Sequence, residues 1–389
     1  MTAEKHISDE QWRPVTEGER NREQIAGQSL TYWQDVWRRL KKNKMAMTGL
    51  GIIVCLVIAA IAVPSFSSYS YYEQKLPFAN IPPLLSIYRL DNGQCLFLNR
   101  NLTLYEVTEN GHLVQLLSPL KTDRAKKSVT YRVGEQTYTV DYGTKPIRLL
   151  DPGQHSIPRS KTVLNKSYLF GTDALGRDLL IRQVYGARIS LMVAFIATLA
   201  NFFIGAIYGG IAGYAGGNVD NVMMRLVEII NTIPLTLYVI LILVILDSGF
   251  TSIIVAIGTV FWVDMARVVR GQIMSLKEQE FVLAAQTMGA GPWRILFRHL
   301  LPNTMGPMIV MATMLIPSAI FIEAFMSFIG LGVAAPMASW GTLCSDALEA
   351  LRSFPYQLLF PAAAISITMF AFNFFGDGLR DALDPRLRK

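Results

Sequence analysis

Four charged side chains frame the chemical question in this sequence. Glu228, Asp264, Arg267 and Glu323 fall within or near the ends of long apolar runs, where an unpaired charge costs roughly a few kcal/mol. Such groups need partners or water. Either they line a hydrated translocation path or they form interhelical pairs and interfacial contacts, a role for which Arg267 is well placed. Glu323, in PSAIFIEAFMSFIGLG, is the deepest. Covalent chemistry finds no support: His6, His112, His155 and His299 are scattered, so no metal-spaced cluster exists, and no nucleophile and base stand together. There is no G-x-x-x-x-G-K-[ST] phosphate loop, so ATP is not bound here in the usual way. Cys55, Cys95 and Cys344 form neither a ligand spacing nor an even-numbered disulfide framework. Cys95 and Cys344 fall on the same side and can pair, but two unpaired small hydrophobes is the simpler reading.

Two polar stretches carry more pattern. The first, EFVLAAQTMGAGPWRILFRHLLPN from Glu280 to Asn303, interrupts two runs each long enough to cross a bilayer. It reads as two short helices. The first covers about Lys277 to Met288 and stops at Gly289, because a glycine just past a helix takes the left-handed conformation that closes it. The second starts on Pro292, and Pro302 marks its far end. The small pair Ala284-Ala285 lets a foreign groove approach the backbone, which is the geometry of a docking peg. The second stretch, GTDALGRD, places Gly171, Thr172, Asp173, Gly176, Arg177 and Asp178 in a tight turn ahead of a helix. Asp173 and Arg177 are spaced to pair. A ligand role for this turn and a plain helix-capping role are both open.

The Glu280 to Asn303 stretch resembles the cytoplasmic signature loop of ABC importer permeases, through Ala284, Ala285, Gly289, Ile295, Leu301 and Pro302. The finer pattern, FVLAAQTMGA and RHLLPN with GTDALGRD and Ser339-Trp340-Gly341, resembles the oligopeptide/dipeptide permease family and its C-type membrane subunit. Where that loop carries an acidic residue, this chain has Leu283. The resemblance implies an ATPase-coupling loop built on Glu280, Ala284, Ala285, Gly289, Ile295, His299, Leu301 and Pro302. It places GTDALGRD on the outer face. It also implies a heterodimer with a second permease subunit, two cytoplasmic ATPase subunits that bind ATP and Mg, and an extracytoplasmic solute-binding protein. No cofactor is then expected in this chain.

The composition agrees with a membrane protein. The 389 residues are 51% hydrophobic and 17% charged, with mean hydropathy +0.33, too apolar for an ordinary soluble domain. Net charge +7 and a pI near 9.2 raise nucleic acid as a partner, but the cations cluster beside apolar runs, as the positive-inside rule requires. Residues 1–28 read as a mobile tail. From Leu30 to Lys44 a stripe of Leu30, Trp33, Trp37 and Leu40 opposes Gln34, Arg38 and Lys41, the pattern of a helix lying on anionic lipid. Residues 1–44 thus form tail and surface helix, and 45–63 the first span. Its length excludes a cleaved signal peptide.

Residues 64–168 form a β-rich insertion on the outer side. LTLYEVTENGHLVQLL and SVTYRVGEQTYTVDYG read as hairpins turning at Asn110-Gly111 and Gly134-Glu135, and the insertion is expected to fold as a local unit. Tyr69, Tyr71 and Tyr72 suit an interfacial aromatic belt. The segment is longer than the matching connection usually is in the resembled family. Residues 169–389 form the permease core, with spans near Ile189 to Tyr214, Val222 to Leu246, Ser252 to Val269, Pro307 to Gly330 and Tyr356 to Phe375, and coupling loop 270–306. Gly205, Gly209 and Gly213 recur every fourth residue and let a second helix approach closely, whether of this chain or another.

The expected fold is therefore all-α integral membrane, with six spans and the β insertion after the first. The expected function is the permease subunit of an ATP-driven peptide importer in the bacterial inner membrane, multi-pass and not itself an enzyme. A self-sufficient secondary transporter or channel is the alternative, disfavoured by the absence of an internal repeat; a membrane-anchored receptor would not need five further spans. Counting spans from the basic flank Arg38 to Lys44 puts both termini in the cytoplasm. Cysteine introduced near Asn110 should accordingly react with an impermeant thiol reagent outside intact cells, and cysteine near Gln286 should not; labelling at Gln286 would reverse the orientation.

Overall fold

The computed structural model describes residues 31–66 and 69–384. The tail read over residues 1–28, Leu30 of the surface helix and the last five residues lie outside the described residues. Helix α1 (Tyr32–Lys42) is followed by α2 (Lys44–Phe66). Trp33 and Trp37 of α1 are exposed, while Val36 and Leu40 pack on Leu379 and Leu383 near the far end of the chain.

The insertion forms ten strands: β1 (Leu84–Arg89), β2 (Cys95–Leu98), β3 (Leu104–Val107), β4 (Leu113–Leu116), β5 (Pro119–Asp123), β6 (Ser128–Val133), β7 (Gln136–Asp141), β8 (Arg148–Leu150), β9 (Ser156–Ile157) and β10 (Arg159–Leu164). They pair as two five-stranded antiparallel sheets, β10-β1-β2-β3-β4 and β5-β6-β7-β8-β9. Alternation decides the packing. Leu96 and Leu104 meet Val129, Tyr131, Tyr138 and Val140 between the sheets, whereas Ile87, Cys95, Phe97, Tyr105 and Val107 build a second core on the other face of the first sheet. Both predicted hairpins form, with Gly111 and Gly134 at positive φ in their turns. Cys95 and Cys344 are both free and buried, and burial pushes the Cys344 thiol up to about 11.

The helical core comprises α3 (Leu179–Ala215), α4 (Gly217–Thr232), α5 (Leu235–Leu246), α6 (Phe250–Gly258), α7 (Trp262–Leu276), α8 (Glu280–Thr287), α9 (Pro292–Ile295), α10 (Leu301–Asn303), α11 (Met305–Phe328), α12 (Trp340–Ala347) and α13 (Tyr356–Leu383). Among the described residues, five segments are long and apolar enough to cross a membrane: α2, α3, α6 with α7, α11 and α13. The third predicted span, Val222 to Leu246, is instead the pair α4–α5, bent by 86°. Pro234 causes the break: it has no N–H to donate and forces the preceding Ile233 into extended backbone. The second span also starts ten residues earlier than its apolar run suggests, because Asp178 accepts the Ile181 amide and caps α3 ahead of it. At 37 residues, α3 is about 55 Å long and overreaches a hydrocarbon core of about 30 Å.

The glycine stripe of α3 finds its partner within the chain. A Cβ at Gly205 would meet Met265, one at Gly209 the backbone of Ala266, and one at Gly213 the Arg270 carbonyl and Ile273. Numbers rise together along both helices, so α3 and α7 run parallel at near backbone contact. Arg270 then forms a two-pronged ion pair with buried Asp220, at 2.5 Å on each arm, fastening α4 to the same seam. Gly209→Val should cost about 1–3 kcal/mol or more through overpacking and lower the unfolding temperature in detergent by several degrees. Gly51→Ala, a position with open space around it, should leave that temperature unchanged or slightly raised.

Candidate functional site

Two polar ends of the core hold the motif residues. At the GTDALGRD turn, Asp173 is the hub. One carboxylate oxygen accepts the amides of Leu175 and Arg177, both at 2.9 Å. The other accepts Arg177 Nε at 2.6 Å and Arg182 Nη1 at 2.5 Å. Both guanidiniums reach on to Asp346 of α12, at 3.5 and 3.2 Å. The predicted Asp173–Arg177 pair is therefore present, and Arg182 and Asp346 complete a four-residue cluster. Their separation in sequence gave no local signal.

The turn itself is clamped. Gly171 and Gly176 have φ of +77° and +72°, and a Cβ at either would strike the backbone of Ile81 or Lys75. Thr172 Oγ1 donates to the Phe78 carbonyl and accepts the Ile81 amide at 2.8 Å. Tyr356 Oη donates toward the carbonyls of Ile81 and Thr172, and Gln357 Nε2 to Thr172 O and Asn80 Oδ1. Burial pushes the Asp178 carboxyl above the usual carboxylate range, and the Ile181 amide draws it back. The base of the insertion thus belongs to the core even though its sheets have cores of their own. Nor are the nearby tyrosines a free belt: Tyr71 stacks on Tyr185 of α3 at 3.7 Å, and Tyr69 lies against Tyr168.

At the opposite end, the loop after α7 departs from expectation in two of its helix bounds. Its first helix starts at Glu280 rather than Lys277, since Gln279 is extended. Its glycine closure is as predicted: Gly289 has φ +80°, its amide donates to Gln286 O, and the Ala290 amide reaches Ala285 O, the double closure of a Schellman motif. The far end is not a stop at Pro302. A wider π-type turn over Leu296–Leu300 carries the chain through α10 into α11, with Pro302 in the first turn of α10, where its missing N–H is tolerated.

The alanine pair is split. Ala285 is 3% exposed and faces inward with Val282, whereas Ala284 is exposed. A foreign groove therefore meets Ala284, and Ala285 is packing. Ile295 is buried beside Leu296, which lies against Gly210 of α3. Leu301 and His299 are half-buried, and the His299 carbonyl accepts from Asn303 Nδ2. Around exposed Glu280, Ala284 and Gly289 the loop shows Phe281, Leu283, Met288, Trp293 and Phe297, with Met288 82% and Trp293 62% exposed and the two aromatic rings stacked. Apolar surface gathered this way outside a membrane span marks an interaction site. Composition alone showed these residues; which face carried them depended on the fold.

The four intramembrane charges separate. Glu323 is fully buried and accepts from Ser190 Oγ at 2.7 Å and Ser327 Oγ at 2.8 Å, while Ser190 Oγ also accepts the Trp340 amide. It is an interhelical tie of α3, α11 and α12. Ser339 caps α12 and Trp340 is buried, so that motif is a packing corner. Glu228 pairs with Arg225 at 2.9 Å, and Asp264 with Arg267 at 3.5 Å, all four exposed. At one end of the molecule, α1, the end of α13 and the chain around Pro302 and Met305 border a common cavity.

Comparison with known proteins adds the following. The profile of binding-protein-dependent transport system inner membrane components matches residues 205–389, and that of the N-terminal TM domain of oligopeptide transport permease C matches residues 31–83. The chain is 38% identical over 384 residues to the oligopeptide transport system permease protein OppC of Bacillus subtilis, covering 99% of each chain. It is 40% identical over 378 residues to the dipeptide transport system permease protein DppC of the same organism, covering 96% of this chain and 93% of that one. OppC of Escherichia coli is 50% identical over 225 residues, 58% of this chain and 74% of its own. Near-complete coverage in both directions gives the B. subtilis proteins a counterpart of the β insertion, whereas the match to OppC of Escherichia coli leaves more than a third of this chain unmatched.

Removing the hub carboxylate tests the cluster. Asp173→Asn leaves buried Arg182 and Arg177 with only half-exposed Asp346 as an ion partner and should cost about 3–5 kcal/mol, read as loss of folded protein in a detergent melting assay. Asp346→Asn, whose side chain is half exposed, should cost less than half of that.

Proposed function

This chain belongs to the oligopeptide and dipeptide permease family of binding-protein-dependent inner-membrane transport components, and from that premise we propose that it forms half of the path through which an ATP-driven importer takes up peptides. The observation that carries the coupling is the loop after α7, a closed helical peg whose exposed side is apolar and aromatic. It fits a groove on a separate ATPase subunit. ATP and Mg are bound by two such subunits and no cofactor by this chain. The other half of the path is a second, related permease subunit, and cargo is delivered by an extracytoplasmic binding protein.

Coupling is mechanical. Closure of the ATPases pushes on Ala284, Met288 and Trp293; because α9 to α11 join almost without a break and only residues 277–279 separate α8 from α7, the push travels into α11 and α7 as rigid-body rocking. Peptide as cargo is supported by the likeness over nearly the full chain to oligopeptide and dipeptide transport system permease proteins. The same likeness favours this reading over a self-sufficient secondary transporter. Cytoplasmic termini are supported by the cations Arg38, Arg39, Lys41, Lys42 and Lys44 at the start of α2 and by Arg294 and Arg298 in the loop. The packing of α1 on the end of α13 puts both ends of the described chain on one side.

Gly289→Pro removes the amide bonded to Gln286 and demands a φ that Gly289 does not have. Ala284→Trp blocks the outward face. Each should leave membrane abundance near normal and reduce peptide uptake by about tenfold or more, measured with radiolabelled peptide in cells. Uptake near wild type in both would refute the docking role. Ala285→Trp should instead lower abundance, because that residue is packed inside.

A further inference from the structure

Resting on the peptide reading above, we infer that the exposed face of α7 is a binding wall for peptides with free termini, in which Asp264 and Arg267 meet the ammonium and carboxylate ends. Both side chains are open, 56% and 39% exposed, on a segment long and apolar enough to span the membrane. Acyl chains do not tolerate such charges, so this face of α7 borders water. Among the described residues the ion partner of each is the other, at 3.5 Å. An exposed pair that long is held weakly, which leaves both charges available to a ligand of opposite polarity at its two ends. A peptide of two or three residues spans roughly 7 to 11 Å, a gap the two flexible side chains reach by parting.

The same face continues into space of the right size. Val268, one helical turn beyond Asp264, and Gln272, one turn further, line a cavity of about 950 Å³ between α7, α11 and α1. The α11 wall supplies Met305, Met311 and Met314. Methionine is unbranched and polarisable and adapts to differently shaped apolar groups, which suits a ligand class whose ends are constant and whose side chains vary. The buried side of α7, carrying Met265, Ala266, Val269 and Ile273, is committed to the core and its α3 seam. Hence the polar face is the one free to meet cargo.

The test uses the complete transporter, this chain with its partner subunits, in inverted membrane vesicles. A Cys55→Ala background removes the exposed cysteine and keeps buried Cys95 and Cys344. Asp264→Cys and Gln272→Cys should both react with a water-soluble thiol reagent. Trialanine should slow that reaction by about threefold or more, and its N-acetylated, C-amidated form should not. In uptake assays, Asp264→Asn and Arg267→Gln should each lower import of trialanine by about tenfold while the subunits still co-purify. An unreactive cysteine at position 264, meaning a face covered by lipid or by the second permease subunit, overturns the inference. So do labelling rates indifferent to free peptide, or import by both charge variants within about twofold of wild type. A wild-type complex that imports no peptide at all overturns the proposed function instead.

Discussion

The close contact of α3 with α7 is the constraint on which the rest of the molecule depends. Three glycines one turn apart remove the side chains that would hold the helices apart, and Met265, the Ala266 backbone and Ile273 fill the space. Dispersion between such closely matched surfaces is what binds helices in lipid, where the hydrophobic effect between them is absent. The seam also sets the mechanics. α3 begins at the GTDALGRD turn, and α7 leads into the loop that carries the exposed aromatic surface, so a displacement at one end is carried to the other by two elements that cannot slide freely.

The acidic side chains of the helical core fall into two groups. Glu323 and the serines around it satisfy one another among α3, α11 and α12, making a rigid corner around Trp340. Arg270 and Asp220 do the same for α4 and α7. Among the described residues, the side chains of Asp264 with Arg267 and of Arg225 with Glu228 have an ion partner only on their own helix and otherwise open surface. In a bilayer that difference separates structural charges from those that must meet water or a partner.

The β insertion is less separate than its strands suggest. Its two sheets bury their own cores, but residues 75–82 hydrogen-bond into the GTDALGRD turn and the start of α13, and Arg100 donates to the Ser353 carbonyl at 2.6 Å. Orientation of the insertion over the core is thus set by buried backbone bonds at its base. The full-length B. subtilis relatives carry a segment of matching length, so this arrangement is one form of the family rather than an isolated addition.

Much of the architecture was legible in the residues themselves, because the features concerned are local. Run lengths marked the spans, Asn110-Gly111 and Gly134-Glu135 marked the hairpin turns, Gly289 marked a helix closure that only a positive φ makes, and Pro234 stood in plain view at the break that bent the third predicted span. Other features needed the tertiary structure, since they depend on how a helix is rotated and what lies across from it. Periodicity could not say that Ala284 faces out and Ala285 in, that the glycine stripe meets α7 of the same chain, or that Arg182 and Asp346 close the cluster around Asp173. Nor could it tell buried Glu323 from exposed Asp264, two carboxyls in equally apolar runs. A sequence states which groups must be satisfied in a membrane, and only the packing of distant segments decides whether another side chain or water satisfies them.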